Sequence, residues 1–265
     1  MRSLKISAFA DEYTDSFEEQ LTALNEFGIE NIEIRFLNGK NISVLKRNEA
    51  TEAKKKLDAF GINVSAIGSP IGKIQLDGDI NDHLETAKRI FESANIFDTR
   101  YIRVFSFYAP NGKDIADMKS EVLYYLENFV VLAREYGITL CLETVHWCAF
   151  STPDFFKVVK EYAPNIGVTL DIKQAWQSGY DWNEYLDVIG DRLKNVHLCD
   201  HDKDGNICMI GKGVFPFDKL IARLKEDGYQ GPIIIEQYAK DYDSYDQVGD
   251  SVQYLNNIIG GIYAH

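Results

Sequence analysis

Ile138-Thr-Leu-Cys-Leu-Glu143 is an apolar run that ends on a carboxylate, and three later runs have the same form. They read Ile166-Gly-Val-Thr-Leu-Asp171, Asn195-Val-His197-Leu and Ile233-Ile-Ile-Glu236. Each is short enough for a strand and carries an acid or imidazole near its C-terminal end. In a parallel barrel the C-terminal ends of all strands meet at one mouth, so residues far apart in sequence can converge there.

The rest of the chain supports such a sheet. Earlier strand-like runs are Leu4–Phe9, Asn31–Phe36, Asn63–Ile67 and Tyr101–Phe105. Between the runs lie amphipathic segments; Phe17, Leu21, Leu24 and Phe27 share a helical face, and Gly28 follows as a C-cap. Gly61, Gly137 and Gly228 close helical runs in the same way, and Asp154, Asp181 and Asp218 stand where helices begin. Eight strands alternating with helices predict a (β/α)8 TIM barrel, read as a single domain over residues 1–265.

Alternation within the strands sharpens the reading. Ile32, Ile34 and Phe36 oppose Glu33 and Arg35; Ile102 and Val104 oppose Arg103; Val196 and Leu198 oppose Asn195 and His197. Strand side chains alternate between faces, so an aliphatic face packs on helices while a polar face points into the barrel. An interior charge costs several kcal/mol unless paired or metal-bound. One such residue is readily a structural ion pair, but Glu143, Asp171, His197 and Glu236 together, at C-terminal ends, are the expected site.

The net charge of -13 and pI of about 4.8 argue against a nucleic-acid partner. No apolar stretch reaches the roughly 20 residues of a membrane span, and Met1-Arg-Ser-Leu-Lys5 has no signal-peptide core. The four cysteines, 141, 148, 199 and 208, form no CxxC pair and read as free thiols of a reducing cytosol. A cytoplasmic protein is expected, and a homo-oligomer is left open.

Three carboxylates and one imidazole suit a single divalent ion, with Mn²⁺ or Mg²⁺ favoured by the oxygen ligands and Zn²⁺ or Co²⁺ as alternatives. Such an ion would polarise a substrate carbonyl and acidify the adjacent C–H. Glu143 and Glu236 are the candidates to remove and return that proton.

Residues that carry a family resemblance are Leu142-Glu-Thr-Val-His146, Val168-Thr-Leu-Asp171, Val196-His-Leu-Cys-Asp200, Ile210-Gly-Lys-Gly213 and Leu224-Lys-Glu-Asp-Gly-Tyr-Gln-Gly231, followed by Ile233-Ile-Ile-Glu236. In this order they resemble the xylose isomerase-like barrel superfamily of sugar-phosphate isomerases and epimerases, which also holds inosose dehydratases and AP endonucleases. The resemblance implies one divalent metal on Glu143, Asp171, His197 and Glu236, with both Glu in proton transfer.

The chain also departs from that pattern. Gln174 stands where many relatives have a substrate-holding His, and Lys203 stands where epimerases place a basic residue that is more often Arg. Lys212 replaces a common Glu within Gly-x-Gly, as a solvated residue or an anion contact. The AP endonuclease branch needs a trinuclear zinc site rich in His. This chain has five His, and Gln174, Ile210 and Lys212 occupy positions of that branch's ligands, so it is disfavoured.

Further candidates have two readings each. His146 and Trp147 follow Glu143 and either touch substrate or pack a loop. Glu33 and Arg103 either bind hydroxyls at the barrel floor or pair with each other, and Tyr238 is similarly open. Trp176 either covers the site or packs under a helix, whereas His201 reads as a solvated loop residue. His83 reads as an exposed helix residue, His265 as the terminus, and Asp241-Tyr-Asp-Ser-Tyr-Asp246 as the solvated start of the last helix. The functional expectation is a metal-dependent isomerase or epimerase of a sugar or polyol-derived substrate. The alternatives are an inosose-type dehydratase and a sugar-binding barrel without turnover.

Overall fold

Capping chemistry sets the element boundaries much as the sequence suggests. Ser16 accepts the Glu19 N–H to start α1 (Phe17–Glu26), and Gly28, with φ of 69°, lies just past its end. Gly61, Gly137 and Gly228 likewise have positive φ after α2 (Arg47–Phe60), α4 (Lys119–Glu135) and α8 (Phe217–Glu226). The remaining helices are α3 (Ile80–Ile96), α5 (Pro153–Tyr162), α6 (Ile172–Gln177), α7 (Trp182–Ile189) and α9 (Asp246–Tyr263). Asp181 caps α7, while Asp154 and Asp218 lie in the first turns of α5 and α8.

The computed structural model describes residues 4–113, 115–238, 240, 243–244 and 246–264. Its barrel strands are β1 (Lys5–Ala8), β2 (Asn31–Ile34), β3 (Asn63–Gly68), β4 (Tyr101–Val104), β5 (Thr139–Glu143), β6 (Gly167–Asp171), β7 (Leu193–Leu198) and β8 (Pro232–Ile235). All pair in parallel with their sequence neighbours, and β8 pairs with β1, so the eight-stranded barrel is closed. Closure leaves no sheet edge and turns every strand's C-terminal end toward one mouth.

Strand parity is as expected. Ile102, Val104, Leu140, Leu142, Val168, Leu170, Val196, Leu198, Ile233 and Ile235 are buried in the core cluster between sheet and helices. Burying such a side chain stabilises the fold by about 1.5–3 kcal/mol each. The opposite face carries Glu33, Arg103, Glu143, Thr169, Asp171, Asn195 and His197, all buried. The barrel interior therefore holds the strands' charged groups, with Ile234, opposite His197, and Phe9 as apolar neighbours.

Several expectations are corrected. The second strand stops at Ile34, and the chain turns at once into a small hairpin, Phe36–Leu37 with Lys40–Asn41. Two helices follow β6, because Asp171 caps the short α6 directly at the strand end. His83 is buried: it shares the inner face of α3 with Ala87 and Ile90, accepts the Gly72 N–H at 2.8 Å and meets Phe129 edge-on. Asn81, Asp82 and Glu85 around it point outward, so a polar run in sequence hides one inward position.

The last helix begins at Asp246, later than expected; Asp241, Tyr242 and Tyr245 lie outside the described residues, as does His265. Cys141 and Cys148 are free thiols, and both are buried, as is Cys199. Among the described residues no helix is long and apolar enough to cross a membrane.

Candidate metal centre

Register brings the four residues together. Glu143 and Asp171 end β5 and β6, His197 lies opposite Asp171 on β7, and Glu236 follows β8, where its N–H bonds Leu198 O at 3.0 Å. One ligand atom from each lies within 4.8 Å of the others, and all four side chains are buried.

Each side chain is held in a defined direction. His197 Nε2 sits 3.1 Å from Glu33 Oε2, leaving Nδ1 directed at the carboxylates. That nitrogen is 2.8 Å from Glu143 Oε1 and 3.5 Å from Glu236 Oε2, yet out of line for a hydrogen bond to either. Glu143 Oε2 pairs with Arg103 Nη1 at 3.1 Å. Asp171 Oδ1 accepts the Gln174 N–H at 3.0 Å, and its own N–H donates to Thr144 Oγ1 at 2.9 Å. Glu236 Oε1 accepts from Tyr238 Oη at 3.1 Å, and Lys173 Nζ donates to that hydroxyl at 2.8 Å.

The electrostatics are those of a site with excess negative charge. Burial and the neighbouring Glu236 push Asp171 up to about 7. Burial also works against ionised Glu143, but Arg103 and His197 outweigh it and hold that acid down at about 2. Glu236 is lowered against the same burial penalty, chiefly by Lys173 and then His197. Burial opposes charge on His197, yet Glu33 and Glu143 raise it well above the usual histidine range.

An imidazole nitrogen crowded against carboxylates without an in-line hydrogen bond, in a cluster where one acid does not ionise readily beside the others, fits a divalent cation. The cation would take Nδ1 and relieve the repulsion. Such an ion requires Asp171 deprotonated and Nδ1 free of a proton. Both groups have raised pKa values, so protons compete below neutrality and affinity rises with pH. Mn²⁺ uptake at pH 6 is expected to release about two protons. Calorimetry in buffers of different ionisation enthalpy measures this, and a pH-independent affinity between 5.5 and 7.5 would refute it.

The other sequence candidates separate clearly. Glu33 and Arg103 do not pair with each other; Glu33 meets His197 and Arg103 meets Glu143, because alternate positions on different strands reach different layers. His146, exposed at the mouth, contacts buried Gln174 through its Nδ1, and its N–H lies 3.4 Å from Gln174 Oε1. Trp147 packs on Phe105 and Tyr108 at centroid distances of 4.8 and 5.3 Å. Lys203 is exposed in the turn of the hairpin Asp200–His201 with Ile207–Cys208, and no hydrogen bond joins it to the four. Lys212 is exposed too, and Trp176 stacks on His201 at 4.6 Å.

The Gly-x-Gly motif has a structural role. Gly211 and Gly213 N–H donate to buried Asp200 at 2.9 and 3.0 Å, and a Cβ on Gly213 would lie 2.2 Å from Asp200 Oδ1.

Sequence reasoning missed Lys173, Arg35 and Asp200. Arg35 pairs with Asp11 and Glu12 and lies 4.0 Å from Glu236 Oε1. Lys173 gave no signal in the sequence, because the first-turn position that makes its charge unusual belongs to the short α6, which only the structure shows.

The family model described as xylose isomerase-like TIM barrel matches residues 21–258. The chain belongs to that family. A curated relative, the uncharacterized protein MJ1311 of Methanocaldococcus jannaschii, is 29% identical over 163 residues; the match covers 58% of this chain and 56% of that protein. The chain thus spans about half the length of the curated relative it matches.

Among solved structures, the probable 3-DHS dehydratase AsbF of Bacillus anthracis superposes with a TM-score of 0.81 at 17% identity, over 96% of this chain and 99% of that one. The 3-keto-D-glucoside 4-epimerase YcjR of E. coli gives 0.77 at 18%, over 96% and 99%. A family protein from Mycobacterium smegmatis solved with magnesium gives 0.74 at 16%, over 98% and 97%. At such identities the likeness is one of fold. These structural neighbours thus include an epimerase and a probable dehydratase, and this chain carries a buried cluster that could hold a metal.

Proposed function

We propose that the protein is a divalent-metal-dependent isomerase or epimerase acting on a small sugar or polyol-derived substrate. The observation that carries this reading is His197 Nδ1, buried without a hydrogen-bond partner and facing Glu143 and Glu236. Glu143, Asp171, His197 and Glu236 would hold one ion, Mn²⁺ or Mg²⁺ before Zn²⁺ or Co²⁺. When bound it would supply Lewis-acid polarisation of a carbonyl and stabilise the enediolate formed on proton loss.

The protein's own residues do the rest. Glu143 and Glu236 are both held ionised by cations, so either can accept the proton from the carbon beside the carbonyl. Return of a proton to that carbon from the opposite side gives an epimer; return to the carbonyl carbon, with the hydroxyl proton of the first carbon passing to the former carbonyl oxygen, gives an isomer. His146, Gln174 and Trp147 line the mouth and are our proposed substrate contacts, whereas Arg103 and Glu33 act through Glu143 and His197.

The test is solvent-deuterium incorporation into a panel of ketoses and inososes by protein loaded with Mn²⁺ or Mg²⁺, read by NMR with a chelated control. Metal-dependent exchange is expected. A new unsaturated product would reassign the protein as a dehydratase, and sugar binding with no exchange would make it a binding barrel.

A further inference from the structure

The two glutamates are presented in the same way by different means. Glu143 turns Oε1 toward His197 Nδ1 while Arg103 takes its other oxygen. Glu236 turns Oε2 toward the same nitrogen while Tyr238 takes Oε1 at 3.1 Å. Behind Tyr238 stands Lys173, only 6% exposed, donating to the hydroxyl at 2.8 Å. The direction of this chain is forced. An ammonium has no acceptor and an ionised carboxylate has no donor, so the tyrosine proton must point at Glu236.

A lysine in the first turn of α6 works against the helix dipole and is desolvated besides. Its partners are Tyr238, through hydrogen bond and ring, and the charges of Glu236 and Asp171.

We infer that Lys173 and Tyr238 are positioning residues that lock the Glu236 carboxylate with Oε2 free for the metal, as Arg103 does for Glu143. The inference rests on the metal-site reading above. Arg35, 4.0 Å from Oε1 and committed to Asp11 and Glu12, is too distant to replace the hydroxyl.

Tyr238→Phe removes only the donor, at a half-buried position that tolerates the ring. It is expected to weaken Mn²⁺ binding by about 10- to 100-fold in calorimetry, the usual effect of losing a group that orients a ligand. It should also lower kcat for deuterium exchange with KM unchanged, and leave the melting temperature of the metal-free protein in place. Lys173→Met should act in the same direction, Lys173→Arg should recover part of the affinity, and the Tyr238→Phe/Lys173→Met double variant should be no worse than the more severe single one.

A lowered melting temperature with Mn²⁺ affinity within twofold of wild type, or fully additive losses, would overturn the inference. Wild-type protein that takes up no Mn²⁺ would overturn the metal reading and this inference with it. Variants equal to a Mn²⁺-binding wild type would overturn this inference alone.

Discussion

Glu236→Gln is expected to reduce solvent-deuterium exchange into a ketose by at least about 10³-fold, the middle of the usual range for loss of a general acid–base group. The amide is isosteric and its oxygen can still accept from Tyr238. What disappears is the charge, and with it both the proton acceptor and one anionic ligand of the proposed ion. Folding should survive, because Glu236 is a repulsive neighbour of Asp171 in a buried cluster, and neutralising it relaxes that strain. Exchange measured by NMR alongside a thermal melt separates the two effects. A rate within tenfold of wild type, with metal bound, would remove Glu236 from the proton path.

Asp200→Ala is expected to cost about 4 kcal/mol of stability, a large value for one side chain. Its carboxylate is 1% exposed and accepts four backbone N–H groups, from His201 at 2.9 Å, Gly211 at 2.9 Å, Gly213 at 3.0 Å and Phe215 at 3.1 Å. Bonds to a buried charge contribute about 1.5–3 kcal/mol each, and partial access of water to the loop discounts their sum. Asp200→Asn should fall close to Ala, since an amide places N–H groups against N–H groups.

Gly213→Ala should fail for the complementary reason. Its Cβ would sit 2.2 Å from Asp200 Oδ1 and 2.3 Å from the His201 carbonyl, neither of which can move aside freely. Urea denaturation measures the difference, and a loss below about 1 kcal/mol for Asp200→Ala would show that water satisfies these donors.

Those two residues mark a boundary in what could be read from the chain. Glu236 was legible because strand parity and a run of isoleucines place it at a barrel mouth. Asp200 was visible only as part of a motif, and the lysine inside Ile210-Gly-Lys-Gly213 drew the chemical reading, although the glycines carry the contact. Gln174 drew similar attention three places past Asp171, while Lys173 beside it makes the link to Tyr238 and Glu236.

The alternation of the strands, the glycine-ended helices and the four C-terminal ligand positions follow from local rules. A strand has period two, a helix about 3.6, and an apolar face must be covered. Those constraints act along the chain and are written in it. Which buried charge meets which is different in kind. Glu33 against His197, Arg103 against Glu143, and Lys173 behind Tyr238 depend on which strands sit next to or across from each other once the barrel closes, and on side-chain length across that space. His83 shows the same limit: a polar neighbourhood in sequence said nothing of the loop, with Gly72, that packs over its face of the helix. Periodicity decided where the ligands stand, and only barrel closure decided how each one is aimed.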